Sequence, residues 1–197
     1  MAVPSSYIRQ TMPAGAGQIN HHWYTWVLDS HWDFAGANRT AIGQLVYDAK
    51  YKSDPSATRE LMSIAQHSIL QISNFAGIVG PSGVECVVAV PSSSRPDDDL
   101  TLPRLLSRAV SQALRIPDAS KKVSIAPDLP PAKNGAVRTP KDFTFLADFN
   151  YENVLLVDDL LSTGQTMTAL GECLSGRKKA GRLCGFALTK VHKGLGN

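Results

Sequence analysis

Residues 153–167 read N-V-L-L-V-D-D-L-L-S-T-G-Q-T-M, and the fold turns on how they are read. The apolar run 154–157 is too short for a helix and carries no polar alternation. It predicts a central parallel strand buried on both faces. Asp158 and Asp159 follow at once, where that strand is expected to run out into a crevice. Then come Ser162, Thr163, Gly164, Gln165 and Thr166, small and hydroxylated, leading into Met167, Leu170 and Leu174 at helical spacing. In an open α/β sheet, ligands bind beyond the carboxyl ends of the strands. A short glycine-containing loop that opens a helix presents free backbone N–H groups and a partial positive charge, which suits a phosphate. Acceptor-only carboxylates suit a vicinal diol. An acid pair, a phosphate cradle and a helix start thus fall within one short stretch.

Other readings of these residues compete. A strand ending in two aspartates also fits the metal-holding strand of a nucleotide hydrolase, but that site needs a G-x-x-x-x-G-K-S or -T loop, which this chain lacks. A receiver-type acidic pair belongs near the start of its domain, and too little chain follows Asp159 for the rest of one. Simple helix capping is the plainest alternative. It needs one carboxylate or hydroxyl, not two acids and a hydroxyl-rich loop.

The stretch V-L-L-V-D-D-L-L-S-T-G-Q-T resembles the phosphoribosyl pyrophosphate signature of type I phosphoribosyltransferases along its whole length. The resemblance implies a parallel sheet flanked by helices, with a small N-terminal helical and aromatic cap and a flexible hood loop. It assigns the ribose hydroxyls to Asp158 and Asp159, which would also touch Mg2+ through water. It assigns the 5′-phosphate to Ser162, Thr163, Gly164, Gln165 and Thr166. In relatives acting on 6-oxopurines an acid precedes the Thr-Gly pair. Here that position is Ser162, so the spelling is nearer the adenine type, and no general base is assigned.

Composition sets the outer limits. A chain of 197 residues fits one domain with a small appendage. Such a chain buries about 70% of its unfolded surface. No segment approaches the ~20 apolar residues of a membrane span, and residues 1–20 lack the apolar core of a secretory signal. The 3 cysteines, Cys86, Cys173 and Cys184, contain no C-x-x-C pair. Buried free thiols in a reducing cytoplasm are the expectation. A net charge of +3 suits a small polyanion as well as a nucleic acid.

Along the chain, residues 1–20 read as an irregular arm. All 3 tryptophans and most of the 5 histidines fall between residues 21 and 67. His21, His22 and His31 match no common zinc spacing, so aromatic packing over the sheet is expected of this segment. Residues 39–52 and the region of Leu61, Ile64, Ala65, Ile69 and Ile72 have amphipathic helical spacing. Two helices before the first core strand, with Lys50-Tyr51 in the first, resemble the order of competence-associated ComF-type phosphoribosyltransferases. The four-cysteine zinc element of that subgroup is absent. So is its R-x-x-R-G-F-N-Q segment, which P-D-D-D-L-T-L-P-R replaces at residues 96–104. The expected division is 1–80 as arm and cap and 81–197 as the catalytic-type core.

Residues 84–90 predict a strand, followed by Ser92, Ser93, Ser94 and Arg95, a second candidate oxyanion cradle. The resemblance implies that this loop grips pyrophosphate. Residues 102–114 predict a helix with Leu105, Leu106, Ala109, Val110 and Ala113 inward and Arg104, Arg108 and Arg115 outward. Residues 121–126 predict a short strand, and the Pro- and Lys-rich residues 127–144 a long loop. Its place matches the family's hood, from which Lys133 and Arg138 would reach a polyanion or else face solvent. The motif helix is expected to end near Lys178, and residues 182–191 predict a last strand. Two functions follow. One is Mg2+-dependent transfer of a phosphoribosyl group to a nitrogen acceptor with release of pyrophosphate. The other is non-catalytic binding of phosphoribosyl pyrophosphate or a nucleotide, reported to a partner protein or a second copy. A DNA-handling role rests only on the ComF-like order of elements.

Overall fold

The computed structural model describes residues 8–11, 24–33, 37–76, 83–92, 95, 98–126, 129, 137–178 and 180–191. In chain order the elements are β1 (Ile8–Thr11), β2 (Tyr24–Ser30), α1 (Ala41–Tyr51), α2 (Pro55–Ala76), β3 (Cys86–Ala89), α3 (Leu102–Leu114), β4 (Val123–Ile125), β5 (Phe143–Phe145), β6 (Asn153–Leu161), α4 (Gln165–Lys178) and β7 (Arg182–Lys190). Five strands form one sheet in the order β1-β2-β7-β6-β3. Strands β2, β7, β6 and β3 run parallel, and β1 is antiparallel on the β2 edge. The protein is therefore mixed α/β, with a largely parallel sheet flanked by helices.

The sheet is covered on both faces, which is why its inner strands are apolar throughout. On one face Leu155 and Val157 of β6 and Phe186 and Leu188 of β7 pack against Val46, Leu61, Ile69, Leu106 and Val110 from α1, α2 and α3. On the other, Val154 and Leu156 meet Met167, Leu170 and Leu174 of α4 and Phe143 of the small β4–β5 pair. Each such fully buried side chain stabilises the fold by roughly 1.5–3 kcal/mol. The free side of β3 is closed by the segment after α3. There Val87 N–H donates to Pro117 O at 2.9 Å, Ala119 N–H to Val87 O at 2.8 Å, and Ala89 N–H to Ser120 Oγ at 2.7 Å. Covering an edge in this way removes a row of groups that would template pairing with another chain.

Two expectations are corrected here. The segment 24–30, expected to pack over the sheet as part of a cap, is a strand within it. Trp26 pairs with Phe186 in parallel register and is buried. Alternation explains the aromatic content, because Trp26 and Leu28 face the α1–α2–α3 side while Val27 faces α4. In α3, Arg104 is buried instead of facing outward with the other arginines. Arg108 and Lys121 both pair with Asp99, at 3.3 and 2.6 Å, so this helix carries no open basic face among the described residues.

The start of α1 is seated tightly on the end of β2. Thr40 caps the helix by accepting from Gly43 N–H at 3.0 Å, and its hydroxyl donates to Ser30 O at 2.6 Å. A Cβ on Gly43 would collide with the His31 carbonyl, so this close approach requires glycine.

Candidate functional site

Strand β6 runs further than the apolar run alone implied. Pairing with β7 continues through Asp158↔Ala187, Leu160↔Thr189 and Leu161↔Lys190, so both aspartates lie inside the strand. Successive residues of a strand point to opposite faces. Asp158 shares the side of Val154 and Leu156, where α4 packs, and Asp159 shares the side of Leu155 and Val157, where α1 packs. The two acids nevertheless stay close: Asp159 N–H donates to Asp158 Oδ1, and Lys50 feels the charge of both.

Asp159 is buried, 4% exposed, and its Oδ2 lies 2.5 Å from Lys50 Nζ of α1. Burial works to lower the Lys50 pKa, but the charge and hydrogen bond of Asp159 outweigh it and hold the ammonium above its ordinary value. Behind the pair, Thr189 Oγ1 donates to Asp159 O at 3.4 Å and lies 3.2 Å from His31 Nδ1. His31 N–H donates to Lys190 O at 2.7 Å. Burial, then the nearby Arg39, lower the His31 pKa, while Asp159 opposes them. These four side chains gather at the carboxyl ends of β6 and β7 and just past β2, where an open parallel sheet binds ligands.

On the opposite side, Asp158 is partly buried, and its Oδ1 accepts from Asp159 N–H at 2.8 Å. Burial, then the neighbouring Asp159 charge, push its pKa well above the ordinary carboxylate value, with Lys50 working the other way. After β6 the chain turns through Ser162, Thr163 and Gly164. Gly164 has φ 75°, a left-handed conformation suited to glycine. Its carbonyl accepts from Thr168 N–H at 2.9 Å, which begins α4. The amides of Gln165, Thr166 and Met167 stand in the first helical turn, where no intrahelical acceptor exists. Gln165 N–H donates to Thr163 Oγ1 at 3.4 Å. Ser162 and Thr163 are exposed and Thr166 half-buried. The five residues expected to hold a phosphate are thus together, at a helix start directly after the strand that carries Asp158.

The second expected cradle is only partly described. Ser92 is half-buried, Arg95 is exposed and pairs with Asp98 at 3.3 Å, and Ser93 and Ser94 lie outside the described residues. Asp98 also accepts from Leu100 N–H at 2.8 Å. From the loop after β4, Arg138 is buried at 5% exposure, and Lys133 lies outside the described residues. The imagined zinc set loses His21 and His22 to the same boundary, while His31 is bound up with Thr189. Among the described residues no group of three or more His, Cys, Asp or Glu is placed to hold a metal ion. No described helix is long and apolar enough to cross a membrane.

The sequence reading missed the partnership of Lys50, Thr189 and His31 with the motif. The sole signal was the Lys50-Tyr51 pair, noted for its position in the first helix and not for any contact.

No family model matches the chain, and no curated protein does. A solved structure described as adenine phosphoribosyltransferase aligns with it at TM-score 0.44 and 17% identity, covering 72% of this chain and 74% of that one.

Proposed function

We propose that the protein binds a 5-phosphorylated ribose, with phosphoribosyl pyrophosphate as its substrate, and transfers the phosphoribosyl group to a nitrogen acceptor. One observation carries the reading. Asp158 stands at the carboxyl end of a buried parallel strand, and the Gly164 turn that follows that strand opens α4. The main-chain donors at residues 163–166 would hold the 5′-phosphate without bringing negative charge to it. Asp158 would accept from the ribose hydroxyls, which fixes the ring and sets a carboxylate beside it. As the nitrogen attacks C1 and pyrophosphate departs, positive charge builds on the ring. A pre-placed carboxylate and a pre-oriented sugar both lower that barrier.

Magnesium fits this donor set in one way only. It keeps several waters and binds through one or two carboxylates together with substrate oxygens, so a three-ligand protein cage is not needed. Asp158, with Asp159 behind it, is the group that would hold it. When bound, the ion would neutralise charge on the leaving pyrophosphate.

A second reading, binding without turnover, draws on Arg95. Its guanidinium is committed to Asp98, and an acidic run at residues 97–99 sits where a pyrophosphate loop would be. Incubation with magnesium, phosphoribosyl pyrophosphate and a panel of purine, pyrimidine and amine acceptors separates the two. Base-dependent pyrophosphate release is expected under the first, and tight binding with no release under the second. If neither phosphoribosyl pyrophosphate nor any nucleoside monophosphate gives heat or a melting shift, both readings are wrong.

A further inference from the structure

We propose that Lys50 is a positioning residue of the sugar-phosphate site. It clamps the second motif acid, Asp159, from α1, and so holds the acid pair at the end of β6 in place for the sugar. This rests on the reading of the site given above and adds a residue that lies outside the motif.

Three observations converge on it. Lys50 Nζ is 2.5 Å from Asp159 Oδ2, and the Asp159 side chain is 5% exposed against 32% for Lys50. A carboxylate so buried is costly without its partner, so the pair holds or the strand end rearranges. The clamp itself is rigidly mounted. Thr40 caps α1 and bonds to Ser30 O, and Gly43 brings the helix against the His31 carbonyl, so the ammonium arrives from a helix fixed to the end of β2. Finally, the end of β6 is tied to its neighbour by Thr189, whose hydroxyl donates to Asp159 O and meets His31 Nδ1. Because Asp158 and Asp159 are adjacent and Asp159 N–H donates to Asp158 Oδ1 at 2.8 Å, a shift that frees Asp159 from α1 also disturbs Asp158. Lys50 therefore acts on the sugar through Asp159. The phosphate, held on main-chain amides past Leu161, is independent of it.

That independence makes the test specific. Wild type, Lys50→Met, Lys50→Arg, Asp159→Asn and the Lys50→Met/Asp159→Asn double variant are titrated with inorganic phosphate and with ribose 5-phosphate. Wild type is expected to prefer ribose 5-phosphate. Lys50→Met is expected to bind inorganic phosphate as wild type does while losing about tenfold of the preference for the sugar phosphate, or ~1.4 kcal/mol. Lys50→Arg should restore the preference. The double variant should lose no more than either single change, because both break the same contact. A pair that only stabilises the fold would lower the melting temperature and leave the ratio of the two affinities alone. If Lys50→Met keeps the wild-type preference, Lys50 has no positioning role and the proposed function stands. If wild type itself shows no preference for the sugar phosphate, the reading of the site fails and takes this inference with it. Should Lys50→Met fail to fold, Lys50→Gln against Lys50→Arg decides. Equal preference in the two overturns the proposal, and loss in Gln alone supports it.

Discussion

Gly185 of β7 and Met167 in the first turn of α4 lie so close that a Cβ on the glycine would stand 2.9 Å from Met167 Sδ. The same Cβ would also collide with the Thr25 hydroxyl, which donates to Met167 Sδ at 3.9 Å. A gap one methyl wide in the middle strand thus lets the start of α4 rest on the sheet, and residues 162–164 lead directly into that turn. Gly185→Ala must push Met167 outward, and overpacking of this kind typically costs about 1–3 kcal/mol. The expected result is a lower denaturant midpoint together with weaker ribose 5-phosphate binding. A loss of stability with affinity unchanged would show that the seat of α4 does not govern the loop.

Gly164 offers a sharper probe of the loop, since its φ of 75° is one that L side chains rarely adopt. Gly164→Ala should cost about 1–2 kcal/mol in stability from backbone strain alone. Binding of inorganic phosphate should fall as well, because the amides on either side change direction. Calorimetric titration checks it. Phosphate binding of wild-type strength in a destabilised Gly164→Ala variant would place the anion elsewhere.

Much of this arrangement was legible from local pattern. Residues 102–114 were expected as a helix and are one, and the motif helix ends where the sequence indicated, because apolar spacing and composition act within a few turns. What escaped the reading is long-range. The segment Tyr24–Ser30 belongs to the sheet because it pairs with β7, more than a hundred residues later, and nothing within its aromatic sequence announces that partner. The strand β6 was expected to stop at Val157, since two carboxylates in succession read as solvent-facing. What keeps Asp159 inside the sheet is an ammonium from α1, a contribution invisible to any window around the motif.

The cysteines give an independent check on the packing. Cys86, Cys173 and Cys184 are all buried and unbridged. Burial, helped by Glu85, pushes the Cys86 thiol up to about 12, and burial likewise raises Cys184. Reactivity follows the thiolate, so the folded protein should be nearly inert toward thiol reagents at pH 8 and should react at all three positions in denaturant. Rapid modification of the native protein would contradict the packed interior around β3, α4 and β7.

Asp158→Asn tests the balance between binding and stability. The folded-state pKa of Asp158 is raised, by burial first and by Asp159 second, so the native protein holds this proton more firmly than the unfolded chain does. Stability from this group is therefore fully present below the ordinary carboxylate pKa of about 3.9 and is lost as pH rises through the folded value. Once ionised, this partly buried carboxylate is a burden on the fold. Asparagine removes that burden. The variant should melt higher than wild type at pH 7, and the difference should shrink as pH falls toward the ordinary carboxylate range. Its affinity for ribose 5-phosphate should drop by about tenfold or more, since a charged acceptor is lost from the diol. Melting curves at several pH values and a titration at pH 7 measure the two halves. A variant that melts lower than wild type at pH 7 and binds the sugar phosphate normally would make Asp158 a structural residue and leave the sugar without its acceptor.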